Sequence, residues 1–286
     1  GLFHRRVAVP GQSQWSAHYE DIETQIGRWF DIVKNYTDWE QGRTFPDAAD
    51  RALADGGRII YYSWNAVNYS THSKVSYQAI ANGTFDRSVI IPEARALKNW
   101  PYKVFIDFDH EPDTKAQAGK GTPAQYVAAY RHIHDVLQAH GVKNVIWSWV
   151  TTGYVPHRTQ ILASYPGAAY VNWISYDPYN FAQCLDGDWH STLDTFKPFY
   201  DLVTNRPGMA RKPLMLAEYA TAPGAQAQAW YASVPATLRL LPRIKAVMEF
   251  DATSAVPCAL EIDKSAAAFA GFKQASTTPY VLGTGP

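Results

Sequence analysis

Two glutamates in this 286-residue chain each close an apolar run. One run reads Val104-Phe-Ile-Asp-Phe-Asp-His-Glu-Pro-Asp113 and delivers Glu111; the other reads Pro213-Leu-Met-Leu-Ala-Glu-Tyr-Ala220 and delivers Glu218. A carboxyl pair about 5 to 5.5 Å apart can hydrolyse a glycoside by double displacement: one protonates the leaving oxygen while the other attacks the anomeric carbon. The two need different surroundings, because the acid must hold its proton near neutral pH and the nucleophile must stay ionised beside donors or positive charge. Asp107, Asp109, His110 and Asp113 crowd the strand end that carries Glu111, and clustered like charges shift pKa values where function needs it. His110 is placed to orient a carboxylate or a sugar hydroxyl. This chemistry calls for no cofactor and no metal. His132 and His134 stand at i and i+2 of a helical segment, on different faces, and do not form a shared metal site.

Two carboxyls so far apart in sequence meet only if the fold brings the ends of their runs together. Short apolar runs alternate with longer amphipathic ones along the chain, the signature of βα units around a parallel sheet. Eight strands are expected, at Arg6–Val9, Asp31–Asn35, Arg58–Ser63, Lys103–Phe108, Asn144–Val150, Tyr170–Tyr176, Pro213–Glu218 and Ile244–Phe250. The clearest helix is predicted over Pro123–His140, with Pro123 in its first turn and Gly141 as its stop. Tyr126, Val127, Tyr130, Ile133, Val136 and Leu137 recur on it at three- and four-residue steps, as one buried face requires. No linker divides the chain, so residues 1–286 read as one domain. A doubly wound open sheet is the rival, but no G-x-G-x-x-G follows the first strand. The fold class is therefore α/β, a (β/α)8 TIM barrel, in which reactive side chains gather at the C-terminal strand ends and Glu111 faces Glu218 across the mouth.

Ten Trp and eighteen Tyr supply flat apolar faces with polar edges, to which sugar rings are suited. Trp64 ends the third strand, Trp149 ends the fifth and Trp39 follows the second, which makes them the stacking candidates; Asn65 and Asp251 stand at the same rim as candidates for hydroxyl contacts. Lys plus Arg and Asp plus Glu both number 26, so nothing draws the chain to nucleic acid or an anionic membrane, and a neutral polymer fits better. No run reaches the roughly 18 apolar residues of a membrane span. Cys184 follows strand six and Cys258 strand eight, on one end of the barrel, so a bridge between them is geometrically plausible. Such a bridge favours a secreted, extracellular protein, whose leader would be missing from this sequence. A monomer is expected.

His110-Glu111 after strand four together with Glu218 after strand seven resembles glycoside hydrolase family 26, a β-mannanase-like family of the barrel glycosidase clan. Relatives in the clan carry Asn before the acid/base Glu, whereas this family carries His, as here. The helix and following strand through Val142-Lys-Asn-Val-Ile-Trp-Ser-Trp149 also resemble the family, as does Trp173-Ile-Ser-Tyr-Asp-Pro-Tyr179. The resemblance runs from about Val7 to Phe272 and implies a barrel, a retaining mechanism with Glu111 as acid/base and Glu218 as nucleophile, a contact from Tyr179 to the nucleophile, and support from Asp177. Mannanases of the family continue His-Glu-Met-Asn where this chain has Pro112-Asp113, which puts Asp113 among the substrate-binding candidates and opens other glycans. Where the family tends to place a Trp platform after strand eight, this chain has Phe250, so either Phe250 substitutes as an apolar floor or the floor is supplied elsewhere.

The expectation is an endo- or exo-acting retaining β-glycosidase on an uncharged polysaccharide, β-1,4-mannan first. β-Glucan, β-1,3-xylan and a microbial cell-wall or capsular glycan are the alternative substrates. A carbohydrate-binding barrel without catalysis is the rival of another class, disfavoured because binding alone needs no paired carboxylates. A metal-dependent barrel hydrolase ranks lower, since no convergent His set marks the strand ends.

Overall fold

The computed structural model describes residues 2–3, 21–40, 44–114, 117–185, 187–252 and 258–282. Eight parallel strands form its centre: β1 (Leu2–Phe3), β2 (Ile32–Thr37), β3 (Ile59–Trp64), β4 (Val104–Phe108), β5 (Val145–Thr151), β6 (Trp173–Tyr176), β7 (Leu214–Thr221) and β8 (Ile244–Phe250). Each pairs with the next, and β8 pairs with both β7 and β1, so the sheet closes into a (β/α)8 barrel. Closure removes both sheet edges and disposes of the open-sheet rival. The segment Arg6–Val9, expected as the first strand, lies outside the described residues, and Leu2–Phe3 fills that place between β8 and β2. Strand β6 begins at Trp173 rather than Tyr170, because Asn172 accepts from Trp147 N through its side chain and Tyr170 closes a turn on Gly167.

A helical segment at 21–26 and helices α1 (Ala48–Asp55), α2 (Tyr77–Ala81), α3 (Ile91–Lys98), α4 (Pro123–Ala139), α5 (Arg158–Ala163), α6 (Thr192–Thr204), α7 (Ala227–Leu240) and α8 (Ala266–Ser276) follow the strands in turn. Helix α4 starts where Thr122 and Gln125 cap each other and stops before Gly141, whose φ of 83° only glycine adopts without cost. Its Tyr126, Tyr130, Ile133 and Leu137 are buried, with Val127 and Val136 packed at the margin.

Strand periodicity divides the core in two. Ile32, Tyr61, Phe105, Val150, Met215, Ala217 and Met248 fill the barrel interior, while alternate residues such as Val33, Tyr62, Val104, Trp149 and Leu214 pack outward under the helices. Following the inward positions toward the mouth, apolar gives way to polar: Ile32 is followed by Lys34, Tyr61 by Ser63, and Phe105 by Asp107. The apolar layer closes the barrel floor, and the polar layer above it becomes the base of the site.

Candidate active site

Strict alternation on β7 would send Glu218 outward, because Met215 and Ala217 face the interior. Between Leu216 and Tyr219 the register against β8 slips by one residue, a bulge that leaves Ala217 and Glu218 consecutive on the inner side. Re-aiming a side chain is what a bulge beside a site accomplishes. There Lys34 Nζ, fully buried, lies 2.9 Å from Glu218 Oε1, and Tyr179 OH donates to Oε2 at 2.5 Å. Tyr179–Asn180 is itself paired alongside Ala220–Thr221, so backbone hydrogen bonds hold the phenol on its partner. Burial pushes the Glu218 carboxyl above its ordinary value, and the charge and hydrogen bond of Lys34 oppose that. Although burial works against its charge, the carboxylates of Glu218, Asp177 and Asp107 carry the Lys34 pKa above that of a free lysine.

The turn after β4 is built differently. Asp109 and Glu111 both take left-handed backbone angles, with φ of 46° and 54°. Such angles cost roughly 1–3 kcal/mol each off glycine and persist where surroundings over-determine them. Here Asp109 accepts from Ala66 N at 3.0 Å, from Lys120 Nζ at 2.7 Å and from Tyr77 OH, while Gln117 donates to the carbonyl of His110 at 2.7 Å. Glu111 N donates to Val150 O at 3.0 Å, fixing the turn to β5. Burial first, then the charge of Asp113, pushes the Glu111 carboxyl up to about 7. Glu111 thus keeps its proton to near neutrality, and Glu218 is paired with the buried ammonium of Lys34.

Three further acids surround them. Asp107 is fully buried, accepts from Ser63 Oγ at 2.9 Å, and is pushed by burial up to about 6. Asp177 is buried with neither carboxylate oxygen hydrogen-bonded among the described residues, and burial raises its pKa well above the usual range. Asp113 accepts from Thr152 N at 3.1 Å and from Thr152 Oγ1, with His157 Nδ1 at 3.4 Å, so its carboxylate is engaged in holding the β5 loop. His110 shares its Nδ1 between Ser63 Oγ at 3.0 Å and Asn65 Oδ1 at 3.1 Å and packs on Tyr36; burial, then Lys34 and Lys120, drive its pKa well below normal, so the ring is neutral.

The expected sugar platforms are not at this surface. Trp39 and Trp64 stack on each other with centroids 4.6 Å apart inside the strand–helix core, and Trp149 is fully buried against Tyr165. Their parity explains it: Trp64 alternates with inward Ser63 and Trp149 with inward Val150, so both point away from the barrel axis. Asp251 is buried too, spending an oxygen on Ile262 N at 2.7 Å, and Asn65 is turned to His110 and the Tyr69 hydroxyl rather than left open. Phe250 lies edge-on behind Tyr179, in a cluster with Phe181, Leu260 and the bridged pair Cys184–Cys258. Exposed aromatic surface near the mouth comes instead from Tyr69 and Tyr154. Lys34 was not among the expected site residues, although its place two positions after Ile32 in a barrel strand marks it as inward.

The sequence model of Glycosyl hydrolase family 26 matches residues 116–234, a stretch that holds Asp177, Tyr179 and Glu218 and begins just past Glu111. This chain is similar to that family. Endoglucanase H of Acetivibrio thermocellus is 28% identical over 206 residues, covering 68% of this chain and 22% of the relative; the chain thus spans about a fifth of that relative's length. In fold, a modular endo-β-1,4-mannanase from Cellulomonas fimi superposes with a TM-score of 0.66 at 17% identity, covering 98% of this chain and 71% of that one. A family 26 β-mannanase from Bacteroides ovatus gives a TM-score of 0.68 at 16% identity, covering 98% and 89%. In fold, the barrel is similar to these.

Proposed function

We propose that this chain is a retaining β-glycoside hydrolase acting on an uncharged polysaccharide, with Glu111 as general acid/base and Glu218 as nucleophile. The observation that carries the reading is the unlike treatment of the two carboxyls. Glu218, ion-paired with Lys34 and hydrogen-bonded by Tyr179, is suited to attack the anomeric carbon. Glu111, protonated up to about 7, is suited to donate to the leaving oxygen and afterwards to take a proton from water. Tyr179 and Lys34 hold the nucleophile, and Asp177, buried and acting on the charge of Lys34, supports the site.

β-1,4-Mannan is the first substrate to try, since the similar solved structures include mannanases. A β-glucan is the second reading, favoured by the similarity to an endoglucanase. The reading takes the chain as one barrel domain and a monomer, secreted to where its Cys184–Cys258 bridge would persist. No helix among the described residues is long and apolar enough to cross a membrane.

The test is a glycan panel with Glu218→Ala as its control. Wild type should release oligosaccharides whose first-formed anomer, seen by proton NMR, keeps the β configuration, and the variant should be inert until azide yields the α-glycosyl azide. Inversion of the first anomer, or wild-type turnover by the variant, would remove Glu218 from the nucleophile's role.

A further inference from the structure

Ser63 Oγ has one proton and three acceptor-bearing neighbours: Asp107 Oδ1 at 2.9 Å, His110 Nδ1 at 3.0 Å and Asn65 Oδ1 at 3.4 Å. Asp107 is the nearest and, when ionised, the strongest acceptor of the three. Once the hydroxyl proton is given to Asp107, Ser63 Oγ offers only lone pairs to the imidazole. A bare Nδ1 would then face a bare hydroxyl oxygen, and Asn65 Oδ1, 3.1 Å from Nδ1, would add a second repulsive contact. A proton on Nδ1 turns both contacts into hydrogen bonds. In a neutral ring the other nitrogen is then an acceptor. Nε2 has no partner among the described residues, and the ring is part-exposed at the mouth beside Glu111.

We propose that Asp107 and Ser63 are positioning residues that lock His110 as its Nδ1–H tautomer, making Nε2 a hydrogen-bond acceptor for a sugar hydroxyl next to the scissile bond. The tautomer stands on the hydrogen bonds alone; only the identification of the donor as a sugar hydroxyl rests on the glycosidase reading. Inverting the tautomer would present an N–H to that hydroxyl and require the hydroxyl to accept instead. Asp107 thereby acts on the substrate without touching it, through two hydrogen bonds. It also explains why Ser and Asp occupy inward barrel positions of the third and fourth strands, where apolar side chains would pack with less desolvation cost.

Long-range proton–nitrogen NMR on 15N-histidine protein decides the tautomer directly, with the His110 signals assigned by their loss in His110→Gln. The wild type should show a protonated, pyrrole-type Nδ1 and a pyridine-type Nε2; the reverse pattern overturns the proposal without any variant having to fold. Ser63→Ala should move both nitrogens toward intermediate shifts, and on the best glycan should lower kcat/KM roughly tenfold, mostly through KM, for one lost hydroxyl contact. Unmoved nitrogens together with unchanged KM in that variant would show that Ser63 positions nothing. If no glycan is turned over at all, the glycosidase reading fails while the nitrogen shifts still decide the tautomer.

Discussion

Among the described residues, Lys34 is the one cation in direct contact with either proposed catalytic carboxyl, and the pH profile should report it. Its charge works to lower the pKa of Glu218 and also that of Glu111, against the burial that raises both. Activity needs Glu218 ionised and Glu111 protonated, so the acid limb follows the first and the alkaline limb, near 7, the second. Lys34→Met removes a charge that favours ionisation of both, and both pKa values rise. We expect kcat/KM at pH 7 to fall by roughly 100-fold or more, as for a lost electrostatic group at a reacting centre. Both limbs of the profile should also shift to higher pH. A lower rate with unshifted limbs would mean that Lys34 merely fills space. The near-isosteric methionine is chosen because truncation would add a cavity to the loss of charge.

At the scale of elements, site geometry depends on how closely the outer helices press on the barrel. Helices α7 and α8 cross at Gly271, where an added Cβ would come within 2.2 Å of the carbonyl oxygen of Gln228. Gly to Ala in a helix ordinarily gains about 1 kcal/mol from backbone entropy. Overpacking against rigid backbone costs about 1–3 kcal/mol and here requires the helices to part, so the clash outweighs the propensity. Gly271→Ala should therefore lower the denaturation midpoint, read by urea titration with circular dichroism; an unchanged or raised midpoint would show that α8 tilts freely. Because α7 follows β7, which carries Glu218, a loss of activity beyond the loss of stability would reveal coupling between this helix pair and the bulge.

On the scale of the whole molecule, the Cys184–Cys258 bridge joins the loop after β6 to the loop after β8 across 74 residues of sequence. Phe181 and Phe250, which flank Tyr179, belong to the apolar cluster around it, so the bridge also supports the phenol on Glu218. Closing a loop of that length in the unfolded chain contributes about 4 kcal/mol by chain entropy. Cys184→Ser with Cys258→Ser should lower Tm by on the order of 10 °C in a scanning calorimeter. Identical Tm for the wild type and the double variant would mean that the core alone fixes the two loops.

Seven of the eight strands and the helix expected over Pro123–His140, observed as Pro123–Ala139, were legible in the sequence because each rests on local periodicity or on position within one run, whereas the first strand, expected at Arg6–Val9, is supplied by Leu2–Phe3. The direction of individual side chains was less so. Trp39, Trp64 and Trp149 read as rim platforms by their place in the runs, yet strand parity turns Trp64 and Trp149 outward and the Trp39–Trp64 stack is sealed under the helices. Glu218 reaches the interior only through a bulge, a slip against a neighbouring strand that no periodicity within β7 announces. Lys34 drew no reading from the sequence, because its partner, 2.9 Å away, is remote along the chain. Sequence by itself determined the barrel and the kind of acid that ends its strands, since these follow from repeating local patterns. Which side chains face one another, and hence which carboxyl is paired with a buried lysine and which is pushed up to about 7, was decided by tertiary structure, because desolvation and charge pairing depend on neighbours that only closure of the barrel supplies.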